Sequence, residues 1–139
     1  MDMLEQYVEY GIIGILGSAS VAALALALDR YFVFRQTDPL HFQDKRELEL
    51  HLTSKLHLLA TIGVNAPYVG LLGTVLGIMC TFLSMGRSGF ETSEIMIGLA
   101  LSLKATALGL VVAIPSVIFY NLLLRRVKVM LLQWDIAHG

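Results

Sequence analysis

Three long stretches of apolar residues alternate with shorter polar segments along the 139 residues of the chain. They cover about residues 11–34, 66–86 and 95–124, and Lys104 is the one charged residue inside the third. A helix needs about 20 apolar residues to cross the hydrocarbon core of a bilayer. The pattern therefore predicts an all-α membrane protein with three transmembrane helices, organised as a single domain over residues 1–139.

The polar segment between the first two spans, about residues 35–64, predicts a short helix of its own. Its leucines recur at helical spacing and give it one apolar face: Leu48, Leu52, Leu56 and Leu59. Asn65 or Ala66 is expected to cap a new helix that has Pro67 in its first turn. The second span is therefore predicted to begin afresh at about residue 66.

Basic residues concentrate on one side of the predicted spans. Only Arg87 lies in the loop over about residues 87–94. Eight others lie at the end of the first span, between the first two spans or after the third: Arg30, Arg35, Lys45, Arg46, Lys55, Arg125, Arg126 and Lys128. Because positive residues are retained in the cytoplasm, we expect a periplasmic N-terminus and loop. The segment 35–64 and the C-terminus are then cytoplasmic.

The composition agrees with a membrane protein and excludes several functional classes. Hydrophobic residues make up 56% of the chain and charged residues 15%, with a mean hydropathy of +0.71, whereas soluble domains have about 25% charged residues. A formal net charge of −1 provides no basic surface for nucleic acid. The single cysteine, Cys80, excludes an internal disulfide, and no phosphate-binding loop or nucleophile motif occurs. We expect no catalytic residue, metal or cofactor.

Small and hydroxylated residues form a stripe along one face of the second and third spans. In the second span the stripe comprises Gly70, Gly73, Thr74, Gly77 and Thr81. In the third it comprises Gly98, Ser102, Ala105, Thr106, Gly109, Ala113 and Ser116. Small residues let helices pack closely in lipid, whereas hydroxyls can line a polar path through the membrane. The spacing alone leaves both uses open.

Two stretches resemble a known family: NAPYVGLLGTVLGIMCTF and, after a short loop, ALSLKATALGLVVAIPSVIFYN. Over residues 65–121 the chain is similar to the ExbB/TolQ/MotA proton-channel family, with its ExbB branch the closest. The resemblance implies a homopentamer in the bacterial inner membrane, with a single-span ExbD-like partner in its central pore and a TonB-like protein. Proton flow through such a complex energises transport across the outer membrane. A TolQ-type subunit of the Tol system is the alternative within the family.

The resemblance also implies roles for individual hydroxyls. Thr74 and Thr106 match the two pore threonines of the family, and Ser102 and Thr81 extend the same lining. Because threonine does not titrate, a proton pathway needs an acid as well. By the resemblance, that acid is an aspartate of the ExbD-like partner.

Two positions of the third span depart from the family pattern. Leu101 stands where many ExbB sequences have a glutamate, so no carboxylate remains in the interior of the predicted spans, and Asp29 lies at the end of the first. Lys104 replaces an apolar residue, and a lysine at the centre of a membrane helix costs about 2.5–3.5 kcal/mol. It is either a structural lysine that bonds to neighbouring carbonyls or extends toward the membrane surface, or a positive charge that tunes the aspartate of the partner.

Five glycines are expected to serve helix packing: Gly70, Gly73, Gly77, Gly98 and Gly109. Pro115 frees the carbonyl of Val111, and it either bends the third span or marks a hinge.

Two other functions stay open. One is a purely structural oligomeric scaffold in the membrane. The other is a small-solute transporter, against which the missing intramembrane acid and the missing inverted repeat argue.

Overall fold

The structure, a computed structural model, describes residues 2–88 and 91–139 of the chain. In these ranges the regular structure is helical: α1 (Asp2–Gln36), a short 3-10 turn (Pro39–His41), α2 (Lys45–Thr53), α3 (Leu56–Ser88) and α4 (Thr92–His138). Three stretches are long and apolar enough to cross a membrane, namely Gln6–Gln36, Leu56–Gly86 and Thr92–His138. The prediction of an all-helical chain with three candidate spans is confirmed. Residues 89 and 90 of the predicted loop lie outside the described residues.

α3 and α4 form an antiparallel pair, and α1 packs against both of them. We call the end where α3 gives way to α4 the hairpin end, and the end covered by the 3-10 turn and α2 the segment end. The larger core lies at the segment end and joins residues from all four helices: Ala23, Ala27, Phe34, Leu48, Leu52, Leu56, Leu59, Leu123, Val127 and Met130. A smaller core nearer the hairpin end joins Ile12, Leu16, Ala66, Val112 and Ala113.

α1 begins at Asp2 rather than near residue 11, so it is longer than predicted at its first end. Residues 3–9, MLEQYVE, are mostly good helix formers, and they extend the helix beyond its uncharged stretch. At the other end, the Thr37 hydroxyl donates to the Val33 carbonyl at 2.7 Å and closes the last turn. As a consequence, Glu9 lies inside the candidate membrane span that starts at Gln6.

The polar segment contains an interruption between two helices that the leucine pattern did not reveal. One helix was predicted across it, but α2 ends at Thr53 and α3 begins at Leu56. Lys55 lies between them with φ at 68°, in the left-handed region. The predicted apolar face is nevertheless buried on both sides of the break: Leu48, Leu52, Leu56 and Leu59 are each at most 3% exposed.

The predicted restart of the helix at residue 66 is wrong, because α3 runs without interruption from Leu56 to Ser88 with Pro67 inside it. A proline has no N–H to donate to the carbonyl four residues earlier, which here is that of Gly63. Packing on both sides of this missing bond offsets its cost. Leu59 before it is 0% exposed and Ala66 beside it 3%, while a Cβ on Gly63 would lie 3.0 Å from Val117 of α4.

α4 is a single helix of 47 residues, about 70 Å long at 1.5 Å per residue. It continues well past the predicted end near residue 124, and the additional turns contribute Val127 and Met130 to the larger core. Near its last turn, Trp134 Nε1 donates to the Phe42 carbonyl at 2.8 Å, and Lys45 Nζ donates to Asp135 Oδ2 at 2.7 Å. These bonds dock the polar segment along the end of α4.

Candidate functional site

The two stripes of small residues face each other in the contact between α3 and α4. A Cβ built on Gly77 would lie 2.5 Å from Ser102 Oγ, and one built on Gly98 would lie 2.6 Å from Thr81 Oγ1. Three further glycines are as tight, with the nearest facing atom at 2.7 Å: Gly70, Gly73 and Gly109. The two helices therefore lie very close along this line and their backbones touch at Gly70 and Gly109, which is the geometry that small residues permit in lipid.

Thr74 and Thr106 bring their hydroxyls together within this contact. Thr74 is 7% exposed, and its hydroxyl oxygen is in hydrogen-bond contact with that of Thr106. The Thr74 hydroxyl also lies 2.9 Å from the Ser102 carbonyl oxygen, to which it donates. Each hydroxyl has one proton, so Thr106 can donate to Thr74 while Thr74 donates to Ser102. The structure thus joins the two predicted pore threonines into one short hydrogen-bonded row.

Thr81 and Ser102 lie in the same contact on the hairpin side of the threonine pair. The Thr81 hydroxyl donates to the Gly77 carbonyl at 3.0 Å, and the Ser102 hydroxyl donates to the Gly98 carbonyl at 2.8 Å. Both residues are nearly buried, at 7% and 5% exposure. Their hydroxyls are therefore bonded within their own helices in a single chain.

Lys104 forms an ion pair with Glu9, a residue that the sequence analysis did not single out. Lys104 Nζ lies 3.0 Å from Glu9 Oε1, and the two side chains are 52% and 44% exposed. Glu9 lies near the first end of the candidate span that starts at Gln6. The pair was missed because the two residues are 95 positions apart and Glu9 precedes the uncharged stretch that marked the first span.

Comparison with known proteins decides the family. The profile of the MotA/TolQ/ExbB proton channel family matches residues 19–136. The chain belongs to this family. It is 52% identical over 140 residues to the "Biopolymer transport protein ExbB" of Aquifex aeolicus, an alignment that covers 100% of this chain and 95% of the relative. It is 50% identical over 131 residues to the protein of the same name from Helicobacter pylori strain J99, with 94% and 90% covered.

The resemblance read from residues 65–121 is thus confirmed, and the family is one of proton channels. In this chain the hydrogen-bonded hydroxyls of Thr74 and Thr106 lie in the same contact between α3 and α4 as the closely packed glycines. Each stripe position that points at the facing helix is either glycine, alanine or a hydroxyl residue. Close packing and a polar row are therefore combined along one surface.

Pro115 lies within α4 without ending it. Its neighbour Ser116 is 1% exposed, and the Ser116 hydroxyl donates to the Val112 carbonyl at 2.8 Å. Val111, whose carbonyl a proline at 115 leaves without its helical donor, is on an exposed face of the helix. The hinge at Pro115 stays a prediction.

A second polar cluster, which the sequence pattern did not reveal, attaches the junction between α2 and α3 to α1. Arg30 is 6% exposed and donates to the His51 carbonyl at 3.1 Å and to Asp29 at 2.9 Å. Lys55 Nζ lies 3.5 Å from the same Asp29 carboxylate. Arg30 thereby satisfies one of the last carbonyls of α2, which have no partner within the helix. Within the described residues no group of three or more metal-binding side chains occurs.

Proposed function

We propose that the chain is an ExbB-type subunit of an inner-membrane motor driven by the proton-motive force. It assembles as a homopentamer with a single-span ExbD-like partner in the pore, works with a TonB-like protein, and energises active transport across the outer membrane. Support comes from the family, from relatives named biopolymer transport protein ExbB, and from the three apolar helices. The N-terminus is periplasmic and the C-terminus cytoplasmic, as the distribution of basic residues favours.

One observation carries the assignment of a proton pathway: the hydroxyl contact of Thr74 with Thr106 in the α3–α4 surface. Unpaired polar groups are costly in hydrocarbon, and the two hydroxyls avoid that cost by bonding to each other and to the Ser102 carbonyl. A threonine hydroxyl both donates and accepts, which suits it to hold a carboxyl group or water beside the pore. The titrating acid is an aspartate of the ExbD-like partner, and Thr74 and Thr106 position it.

Removal of the two hydroxyls tests the proposal. Thr74→Val and Thr106→Val keep the shape of the side chain and remove its donor and acceptor. In cells that depend on this chain, we expect both variants to assemble with the partner and to lose energised uptake through the outer membrane. Native mass spectrometry of the extracted complex reports assembly and stoichiometry.

Thr61→Val is the matched control, because the Thr61 hydroxyl is exposed and donates to the His57 carbonyl of its own helix at 2.8 Å. It should leave uptake unchanged. If Thr74→Val and Thr106→Val assemble and support uptake at the unmodified rate, the hydroxyls serve packing alone and the proposed pathway is wrong. A monomer under gentle extraction would count against the assembly.

A further inference from the structure

Glu9 and Lys104 lie at one level of the bundle, on its hairpin side. Glu9 precedes Arg30 on α1 by 21 residues, and Lys104 precedes Arg125 on α4 by the same number. At 1.5 Å per residue each separation is about 31 Å, which matches a hydrocarbon core of about 30 Å. The ion pair and the two arginines are therefore separated along the bundle by about the thickness of one hydrocarbon core.

A cavity of about 40 Å³ opens beside the ion pair, between α1, α3 and α4. Glu9, Lys104 and Ser102 form the polar part of its wall, and Cys80 lies among its apolar residues and glycines. Roughly 10–15 Å³ is enough to hold one water molecule where polar groups are present. The cavity thus offers both the room and the partners for water next to the Glu9 carboxylate.

Ser102 connects this cavity with the threonine row. It lines the cavity, and its carbonyl accepts the hydrogen bond from the Thr74 hydroxyl at 2.9 Å. Thr74 in turn contacts Thr106. Polar groups therefore continue from the ion pair on the hairpin side to the hydroxyls placed in the proposed pathway.

We propose that Glu9 is a proton-binding group of this chain, with Lys104 as its counter-charge. The inference rests on the proposed function and adds to it a carboxylate supplied by the chain itself. The Glu9 carboxylate takes a proton from hydronium on the hairpin side, which leaves a carboxylic acid and water, while Lys104 stays charged. Release of the proton into the cavity restores the carboxylate and its ion pair. With 44% of its side chain exposed, Glu9 is accessible for the first step.

The elements packed around Glu9 contribute few other titratable groups to this cavity. α4 contributes Lys104, and α3 contributes Cys80. Across the described ranges, no other acidic or basic side chain lines it. Glu9 is thus the acid of the cavity, and Lys104 balances its charge so that the pair brings no net charge into the span.

The competing explanation is that Glu9 only neutralises Lys104, and a double variant separates the two. Glu9→Gln cannot bind a proton but leaves Lys104 unpaired, so it is combined with Lys104→Met, which makes the pair neutral. We expect the double variant to assemble and to lower energised uptake by about tenfold or more, as loss of a proton-transfer group does. Glu9→Asp, which keeps an acid, should retain more uptake than Glu9→Gln and change its pH profile.

Glu49→Gln is the control, because Glu49 is an exposed acid on α2 away from the cavity, and it should not alter uptake. Wild-type uptake in the assembled double variant would overturn the inference. Loss of uptake in Thr74→Val and Thr106→Val with full uptake in the double variant would overturn this inference alone. Full uptake in all of these variants would overturn the proposed function as well.

A measurement on the unmodified protein decides the case in which the double variant fails to assemble. Dicyclohexylcarbodiimide is an apolar reagent that adds to protonated carboxyl groups in membranes. Applied to the complex in lipid vesicles, it should modify Glu9 to an extent that rises as the pH falls, as detected by mass spectrometry of the peptides. This readout does not depend on uptake. Absence of modification at Glu9 over the pH range in which the complex works would exclude proton binding there.

Discussion

Gly70 of α3 and Gly109 of α4 lie against each other with no side chain between them. A Cβ built on Gly109 would come within 3.0 Å of the Gly70 Cα and within 2.7 Å of the Ala66 carbonyl oxygen. Because the nearest atoms belong to the backbone, no side-chain rotation can make room. The two helices therefore meet here as bare backbones, and their spacing is fixed at this point.

We expect Gly109→Ala to destabilise the protein by about 1–3 kcal/mol, since a methyl group overpacks a backbone contact. Thermal unfolding in detergent, followed by circular dichroism, measures the change. Gly86→Ala is the control, because nothing lies within 4 Å of the Cβ position of Gly86. Equal stability of the two variants would show that α3 and α4 can separate at Gly109 without cost.

The junction between α2 and α3 at Lys55 predicts a difference in stability between Lys55→Gly and Lys55→Ala, which both lack the lysine ammonium group. With φ at 68°, Lys55 occupies a conformation that glycine adopts freely. Lys55→Gly should be more stable than Lys55→Ala by about 1–2 kcal/mol, the cost of the left-handed conformation for a residue with a Cβ. Loss of the contact with Asp29 is common to both variants and cancels. Equal unfolding temperatures would contradict a left-handed residue at this break.

Asp44 gives the polar segment a defined response to acid. A side-chain hydrogen bond from Arg46, followed by one from the Arg46 backbone N–H, lowers the pKa of Asp44 below its ordinary value of 3.8. The contribution of ionised Asp44 to the stability of the folded state is therefore complete above the ordinary pKa of Asp44. It is lost as the pH falls through the lower pKa that Asp44 has in the folded state. Asp44→Asn keeps an oxygen to cap α2 and should lack this part of the pH dependence.

The fluorescence of Trp134 reports that response, because it is the one tryptophan of the chain and it bonds to the Phe42 carbonyl beside α2. Unfolding midpoints are compared for the two proteins from neutral pH to below pH 3.8, the ordinary value for Asp44. The midpoints should differ by a constant amount above that pH and converge at the acid end, where Asp44 loses its charge. Parallel curves throughout would mean that Asp44 does not stabilise the segment.

The proposed orientation predicts which added cysteines react from the periplasm. In a Cys80→Ala background, a cysteine at Gln6 or Ser93 should react with a membrane-impermeant thiol reagent in whole cells. A cysteine at Gln43 or Gln133 should react only after the membrane is opened. All four positions are exposed, so burial does not confuse the comparison. The reverse pattern would invert the topology.

Much of this fold could be predicted from the sequence, because its strongest signals are local. The lengths of the apolar stretches gave three spans, and the helical spacing of Leu48 and Leu52 gave the buried face of the segment. The family could be read from the residues around Thr74 and Thr106. Each of these signals lies within about one helix, where periodicity and motif spacing are informative.

The remainder depends on contacts between residues far apart in the chain. Pro67 reads as a helix start by its local preference, yet α3 continues through it because α4 packs beside it. Lys55 adopts a positive φ because Leu52 and Leu56 are held in one core on either side of the break. Lys104 finds its partner in Glu9 across two helices. No spacing rule predicts such a pair, and only the folded bundle reveals it.

The unbroken course of α4 has a mechanical consequence. Lys104 near one end and Asp135 near the other belong to a single helix, about 46 Å apart at 1.5 Å per residue. Because the rise per residue of an α-helix is fixed, a displacement of Lys104 along the helix axis is passed on to Asp135 as long as α4 stays straight at Pro115, which lies between them. There Lys45 and Trp134 couple it to α2. One continuous helix thus joins the level of the ion pair to the docked polar segment at the other end of the bundle.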